Sequence, residues 1–136
     1  MNSLLRVSGR NHLGLILMSE LATAKAYLPL QTVAERMRIS QGYLEEVALT
    51  LKQAKLIEGR QGPGGGYRLA KPARRITIEE ILTAIEGPVA MVDCQSEDKT
   101  CPVEDVCTSK SLWNFLRKNV VDTLRKTTLQ DVVRTA

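Results

Sequence analysis

Cys94, Cys101 and Cys107 lie within fourteen residues, spaced C-x6-C-x5-C, and they are the only cysteines of the 136-residue chain. Three thiolates in one short segment are soft ligands within reach of a single metal ion or iron–sulfur cluster, and they are also suited to reversible thiol oxidation. The spacing lacks the C-x2-C pairs of a zinc ribbon. A zinc ion or a rhombic cluster takes four protein ligands, so three thiolates leave one position to fill. The only imidazole is His12, far away in sequence. It could reach the cysteine loop if the first helix of a partner chain approached it, and Ser8, Arg10 and Asn11 beside it are poorer ligands.

The remaining reactive groups assemble no catalytic constellation. There is one histidine, no nucleophile with an identifiable base, and no paired carboxylates in a recognised motif, so the chain reads as a non-enzyme. Apolar stretches such as Leu15–Met18 and Leu28–Leu30 are far shorter than the roughly 20 residues of a membrane span. The N-terminal order of a signal peptide is missing as well, because Gly9, Arg10, Asn11 and His12 interrupt it. A cytoplasmic location is expected, where thiols stay reduced.

Charge divides the chain. Residues 1–75 carry 12 Lys or Arg against 5 Asp or Glu, and residues 76–136 carry 7 against 10. A basic first half points to a polyanionic partner for that half.

The elements that must position these groups follow from apolar spacing and caps. Ser8 caps a helix through Leu13, Ile16, Leu17, Leu21 and Ala24, which stops before Pro29. Thr32 is expected to cap a short helix with Val33, Ala34 and Met37 inward. Arg38-Ile39-Ser40 is a tight turn, and Ser40 caps a longer helix over about 41–55. In that helix Tyr43, Leu44, Val47, Ala48, Leu51 and Ala54 lie near one another, with Gln41, Gly42, Glu45 and Glu46 at or beside the exposed first turn. Two helices joined this way form a helix-turn-helix, whose second helix enters the major groove. Short strands at 56–60 and 67–70 flank Gln61-Gly62-Pro63-Gly64-Gly65-Gly66, a glycine-rich hairpin tip. No Lys-Ser or Lys-Thr closes a phosphate-binding loop there. The expected fold is mainly α with a small β-hairpin wing, a winged helix-turn-helix.

Thr77 and Glu80 make a capping box for a short helix ended by Gly87 and Pro88. A long amphipathic helix begins near Ser111, with Leu112, Trp113, Leu116, Val120 and Leu124 in one stripe. It has no obvious partner within so small a domain, which predicts a two-fold dimer interface. Thr128 can cap a last short turn. The chain therefore divides into a winged helix-turn-helix domain (1–87), a cysteine-bearing loop (88–110), and a dimerisation helix with C-terminal turn (111–136).

Ser40-Gln41-Gly42-Tyr43-Leu44-Glu45, Gly62-Pro63-Gly64-Gly65-Gly66-Tyr67, three cysteines followed by Leu112-Trp113, and the closing Thr128-Leu129-Gln130-Asp131 together resemble the IscR, NsrR and RirA superfamily of bacterial winged-helix regulators. The resemblance spans nearly the whole chain and is strongest to the IscR branch. It implies a homodimeric transcription factor, and two-fold symmetry would match it to a pseudo-palindromic double-stranded DNA operator. It also implies that Cys94, Cys101 and Cys107 bind an iron–sulfur cluster, of the 2Fe-2S type in the IscR branch and 4Fe-4S in others, whose loss alters operator affinity. The chain departs from the pattern twice. Lys110 stands where IscR-like members carry a histidine ligand, so the fourth ligand is His12 from the partner, an exogenous group or nothing. Gln61 stands where an arginine commonly precedes the wing glycines, and Arg60 comes one residue earlier.

The leading reading is a cluster-sensing regulator of transcription. Ser40, Gly42, Tyr43 and Glu45 face the major groove, and Arg60, Gln61 and Arg68 supply backbone or minor-groove contacts. Two alternatives stand beside it. One is a winged-helix regulator whose cysteines hold zinc or undergo thiol oxidation, and the other is an adaptor regulated by a protein partner.

Overall fold

The computed structural model describes residues 7–24, 26–92, 95 and 106–135. Cys94 and Cys101 lie outside the described residues. Helix α1 (Gly9–Thr23) opens at Ser8, whose hydroxyl accepts the Asn11 N–H at 3.1 Å. Helix α2 (Leu30–Met37) begins two residues before the expected Thr32 cap. Pro29 occupies the cap position, with its φ preset near the helical value, and its carbonyl accepts from Thr32 and Val33. Arg38 then turns the chain in the left-handed conformation (φ 56°), and Ser40 caps α3 (Gln41–Gln53) by accepting from the Tyr43 N–H. Ala54, expected on the inward stripe, falls just past the helix end and is exposed.

Strands β1 (Ile57–Arg60) and β2 (Gly66–Leu69) pair antiparallel in the register Ile57↔Leu69, Glu58↔Arg68, Gly59↔Tyr67, Arg60↔Gly66. The connector between α1 and α2 joins this hairpin. Leu28 N–H donates to the Tyr67 carbonyl at 2.8 Å, and Tyr67 N–H donates back to Leu28 at 2.9 Å. The approach is so close that a Cβ on Gly66, whose φ is +131°, would stand 2.4 Å from the Leu28 carbonyl group. Only glycine fits there.

A short 3₁₀ turn (Ala73–Arg75) leads to α4 (Ile78–Glu86), which has both bonds of the Thr77–Glu80 capping box. Helix α5 (Lys110–Lys126) is followed by α6 (Leu129–Thr135). The core is one cluster in which Leu17 and Met18 of α1, Val33 of α2 and Leu44, Val47 and Leu51 of α3 meet Ile57, Ile76, Ile81 and Leu129. Helix α1 packs against α3, α4, α6 and β2, so it is the central element on which the others rest. Helix α5 contrasts with it, having no buried residue. Among the described residues no helix is long and apolar enough to cross a membrane.

Candidate nucleic-acid interface and thiol site

The first turn of α3 is exposed because the apolar positions that hold the helix begin only at Leu44. Ser40, Gln41, Gly42, Tyr43, Glu45 and Glu46 all face solvent, and Tyr43, given by the spacing to the inward stripe as well as to the groove face, is 39% exposed. The Gln41 amide donates to Glu45 at 3.3 Å, tying two polar groups along one face. Leu49 continues that face at 52% exposure. An open groove of about 750 Å³ separates it from the wing, with Gln41, Glu45 and Leu49 on one wall and Arg60, Gly62 and Gly64 on the other.

The wing residues differ in their circumstances. Gln61 and Arg60 are exposed beside the tip. Arg68 is held by a 2.5 Å bond from its Nε to Glu58, and its guanidinium lies 4.6 Å from the centre of the Tyr27 ring. The Glu58 hydrogen bond raises the Arg68 pKa further, with the Tyr27 side chain adding to it. Arg60 lies 5.9 Å from the same ring. Tyr27 was not singled out by its sequence position. An aromatic residue just before the Leu28-Pro29 connector is its only local signal, and the stacking depends on a strand pairing that one residue, Leu28, makes.

Cys107 is half-buried just before α5. Its sulfur lies 3.3 Å from the Ser109 hydroxyl, which also accepts the Trp113 indole N–H at 3.2 Å. The Trp113 N–H takes one acceptor position of the Ser109 hydroxyl and leaves its O–H proton available to the sulfur. That bond, followed by the Ser109 and Lys110 backbone groups and the Lys110 charge, lowers the Cys107 pKa below the ordinary 9.0. The helix start adds partial positive charge of the kind that favours a thiolate. Gln95, next in sequence to Cys94, donates its amide to Asn114 at 3.0 Å and accepts from the Met91 N–H. Arg117 donates to the Val89 carbonyl at 2.7 Å. Both sides of the cysteine-bearing segment are thus tied to the first two turns of α5.

His12 is exposed in the first turn of α1. It lines an apolar groove of about 490 Å³ with Leu15, Ile16, Met37, Val132 and Val133. Among the described residues no three His, Cys, Asp or Glu side chains converge on one point. The hydroxyl of Ser8 is committed to its helix cap, and Arg10 reaches Thr50 of α3 at 3.4 Å.

Comparison with known proteins matches residues 7–135 to Rrf2, described as an iron-dependent transcriptional regulator. The HTH-type transcriptional regulator IscR of Pectobacterium atrosepticum is 34% identical over 106 residues, which is 78% of this chain and 64% of that protein. CymR of B. subtilis, described as the global cysteine regulator, superposes with a TM-score of 0.82 at 30% identity, covering 97% of this chain and 98% of CymR. IscR of T. potens superposes with a TM-score of 0.78 at 29% identity, covering 96% of this chain and 88% of that one. Their winged-helix fold is the fold found here.

Proposed function

The chain belongs to the Rrf2 family of transcriptional regulators, and from that premise we propose that it is a homodimer whose operator affinity is set by an iron–sulfur cluster at Cys94, Cys101 and Cys107. The observation that carries the proposal is the setting of Cys107. A thiol that receives a Ser109 hydrogen bond at the start of a helix is already biased toward the thiolate that a cluster requires. Three cysteine sulfurs form a soft donor set that fits iron.

In this reading the cluster supplies a redox-sensitive and iron-dependent bond between the thiolates. The protein supplies the rest. Ser109 and Trp113 hold the Cys107 sulfur, and Gln95 and Arg117 hold the flanking segment on α5. The exposed Leu112 and Phe115, at 52% and 64%, give α5 an apolar face that a second copy would cover. The fourth ligand is His12 of the partner, an exogenous group or none, and the helical turn that carries His12 touches the recognition helix. Arg10, in the same helical turn, bonds Thr50 on α3, and Gly9 faces the Tyr43 hydroxyl. The cluster can change DNA affinity only by favouring one arrangement of these elements over another.

Ser40, Gly42, Tyr43 and Glu45 would face the major groove, with Arg60 and Gln61 beside the wing tip. Two-fold symmetry then sets half-sites about 34–36 Å apart, or a multiple of that. Anaerobic purification with iron and sulfide assays and Mössbauer spectroscopy tests the cofactor. Two irons per chain with matching sulfide are expected, lost in Cys107→Ala, and colourless iron-free protein overturns the reading.

The lowered Cys107 pKa together with the likeness to CymR favours thiol oxidation as the second reading. A disulfide that changes DNA affinity in iron-free protein would establish it. Stoichiometric zinc would instead assign the cysteines to a metal without redox chemistry.

A further inference from the structure

The two wing arginines have different tasks, and a residue outside the wing separates them. By strand register Glu58, Arg60 and Arg68 share one face of the hairpin. Tyr27 lies against that face, its backbone fixed by the paired bonds between Leu28 and Tyr67. Arg68 is held from two sides, by Glu58 and by the ring. Among the described residues no carboxylate pairs with the Arg60 guanidinium, and the Tyr27 ring lies 5.9 Å from it. Stacking on the ring uses none of the Arg60 N–H donors, which stay available to phosphate or base edges, whereas the Arg68 Nε–H is committed to Glu58 and its charge is compensated there.

We propose that Tyr27 is a positioning residue for DNA recognition: its ring fixes Arg60 beside the wing tip as the guanidinium that enters the DNA, while Arg68, neutralised by Glu58, acts as a buttress. This rests on the reading of the hairpin as a DNA-binding wing. Tyr27 thereby performs in advance the ordering of a long, flexible side chain that binding would otherwise impose.

The test uses the full chain and duplexes that it enriches from a random-core library. Dissociation constants are measured across a range of salt for wild type, Arg60→Ala, Arg68→Ala, Tyr27→Ala, Tyr27→Leu, Tyr27→Phe and the double variant Tyr27→Ala/Arg60→Ala. Arg60→Ala is expected to weaken binding roughly tenfold and reduce the salt slope by about one. Tyr27→Ala and Tyr27→Leu should weaken it about 3- to 10-fold, Tyr27→Phe less than about twofold, and the double variant no more than Arg60→Ala. Arg68→Ala should leave the salt slope unchanged. Additive losses in the double variant, wild-type affinity in Tyr27→Leu, or a slope change in Arg68→Ala would each overturn the assignment. Enrichment of no duplex by the wild type would overturn the DNA-binding reading itself, and this assignment with it.

Discussion

Leu129 donates its backbone N–H to the carbonyl of Ile76 at 2.8 Å while its side chain is wholly buried in the core. Ile78 N–H donates to the Thr127 carbonyl at 2.9 Å, so a two-bond bridge fastens the junction of α5 and α6 to the start of α4. The C-terminal turn is therefore a structural part of the winged domain's core. Leu129→Ala is expected to cost about 2–5 kcal/mol of unfolding free energy, the range for a buried leucine truncated to alanine. Urea denaturation of variant and wild type measures it, and a change below about 1 kcal/mol would contradict this packing.

The same junction has a pH signature. The Asp131 carboxylate accepts from Thr128 N–H at 3.0 Å, and the Thr128 hydroxyl accepts from Asp131 N–H at 3.2 Å. The bond from the Thr128 N–H foremost, with the Thr128 hydroxyl adding to it, lowers the Asp131 pKa below its ordinary 3.8. A carboxylate whose folded pKa is depressed stabilises the fold above its unfolded pKa, and the contribution vanishes as pH falls through the lower folded value. Asp131→Asn should therefore melt below wild type at pH 7, with the two melting temperatures converging as the pH falls below the ordinary carboxylate range. A pH-independent difference would refute the assignment.

Gly66→Ala should damage the wing. The added Cβ would collide with the Leu28 backbone at 2.4 Å in a conformation that L side chains rarely adopt. A stability loss of about 1–3 kcal/mol is expected from backbone strain, with DNA affinity falling at least tenfold as the connector separates from β2. Fluorescence anisotropy and thermal melts test both parts.

Alkylation kinetics address the thiol. In a Cys94→Ala/Cys101→Ala chain freed of metal, the rate against pH should rise with a midpoint below 9.0, because the thiolate is the reactive form. Ser109→Ala should move the midpoint up, since it removes the largest stabilising hydrogen bond. Trp113→Phe, which only releases Ser109, should move it less.

Local chemistry explains what was legible from sequence. Ser8, Ser40 and Thr77 each place a side-chain oxygen three residues before the N–H that they cap, and all three helices start there. Thr32 offered the same signal but lost to Pro29, whose fixed φ starts the helix three residues earlier than expected. The glycine-rich tip identified the hairpin. The third strand position at Leu28 escaped notice because a single bridging residue has no periodicity. Leu129 heads a seven-residue helix that looks like a surface turn, and only its bonds to the α4 entry reveal that it is core. At the site, the exposed first turn of α3 and the tip residues Arg60 and Gln61 could be read directly. The capture of Arg68 by Glu58 and Tyr27, and the Ser109–Trp113 bonds at Cys107, depend on side chains that meet only after folding.

Helix α5 buries none of its 17 residues fully, and apart from Leu124, which packs against the core, it leaves an apolar face with Leu112 and Phe115 open in the single chain. If a second copy covers that face, association and folding draw on the same free energy, and the melting temperature rises with protein concentration. On a palindromic site, occupancy would then climb more steeply than in proportion to the number of chains in the cell. A modest change in synthesis or turnover would move the regulator between an inactive pool and a bound state, before any signal reaches the cysteines.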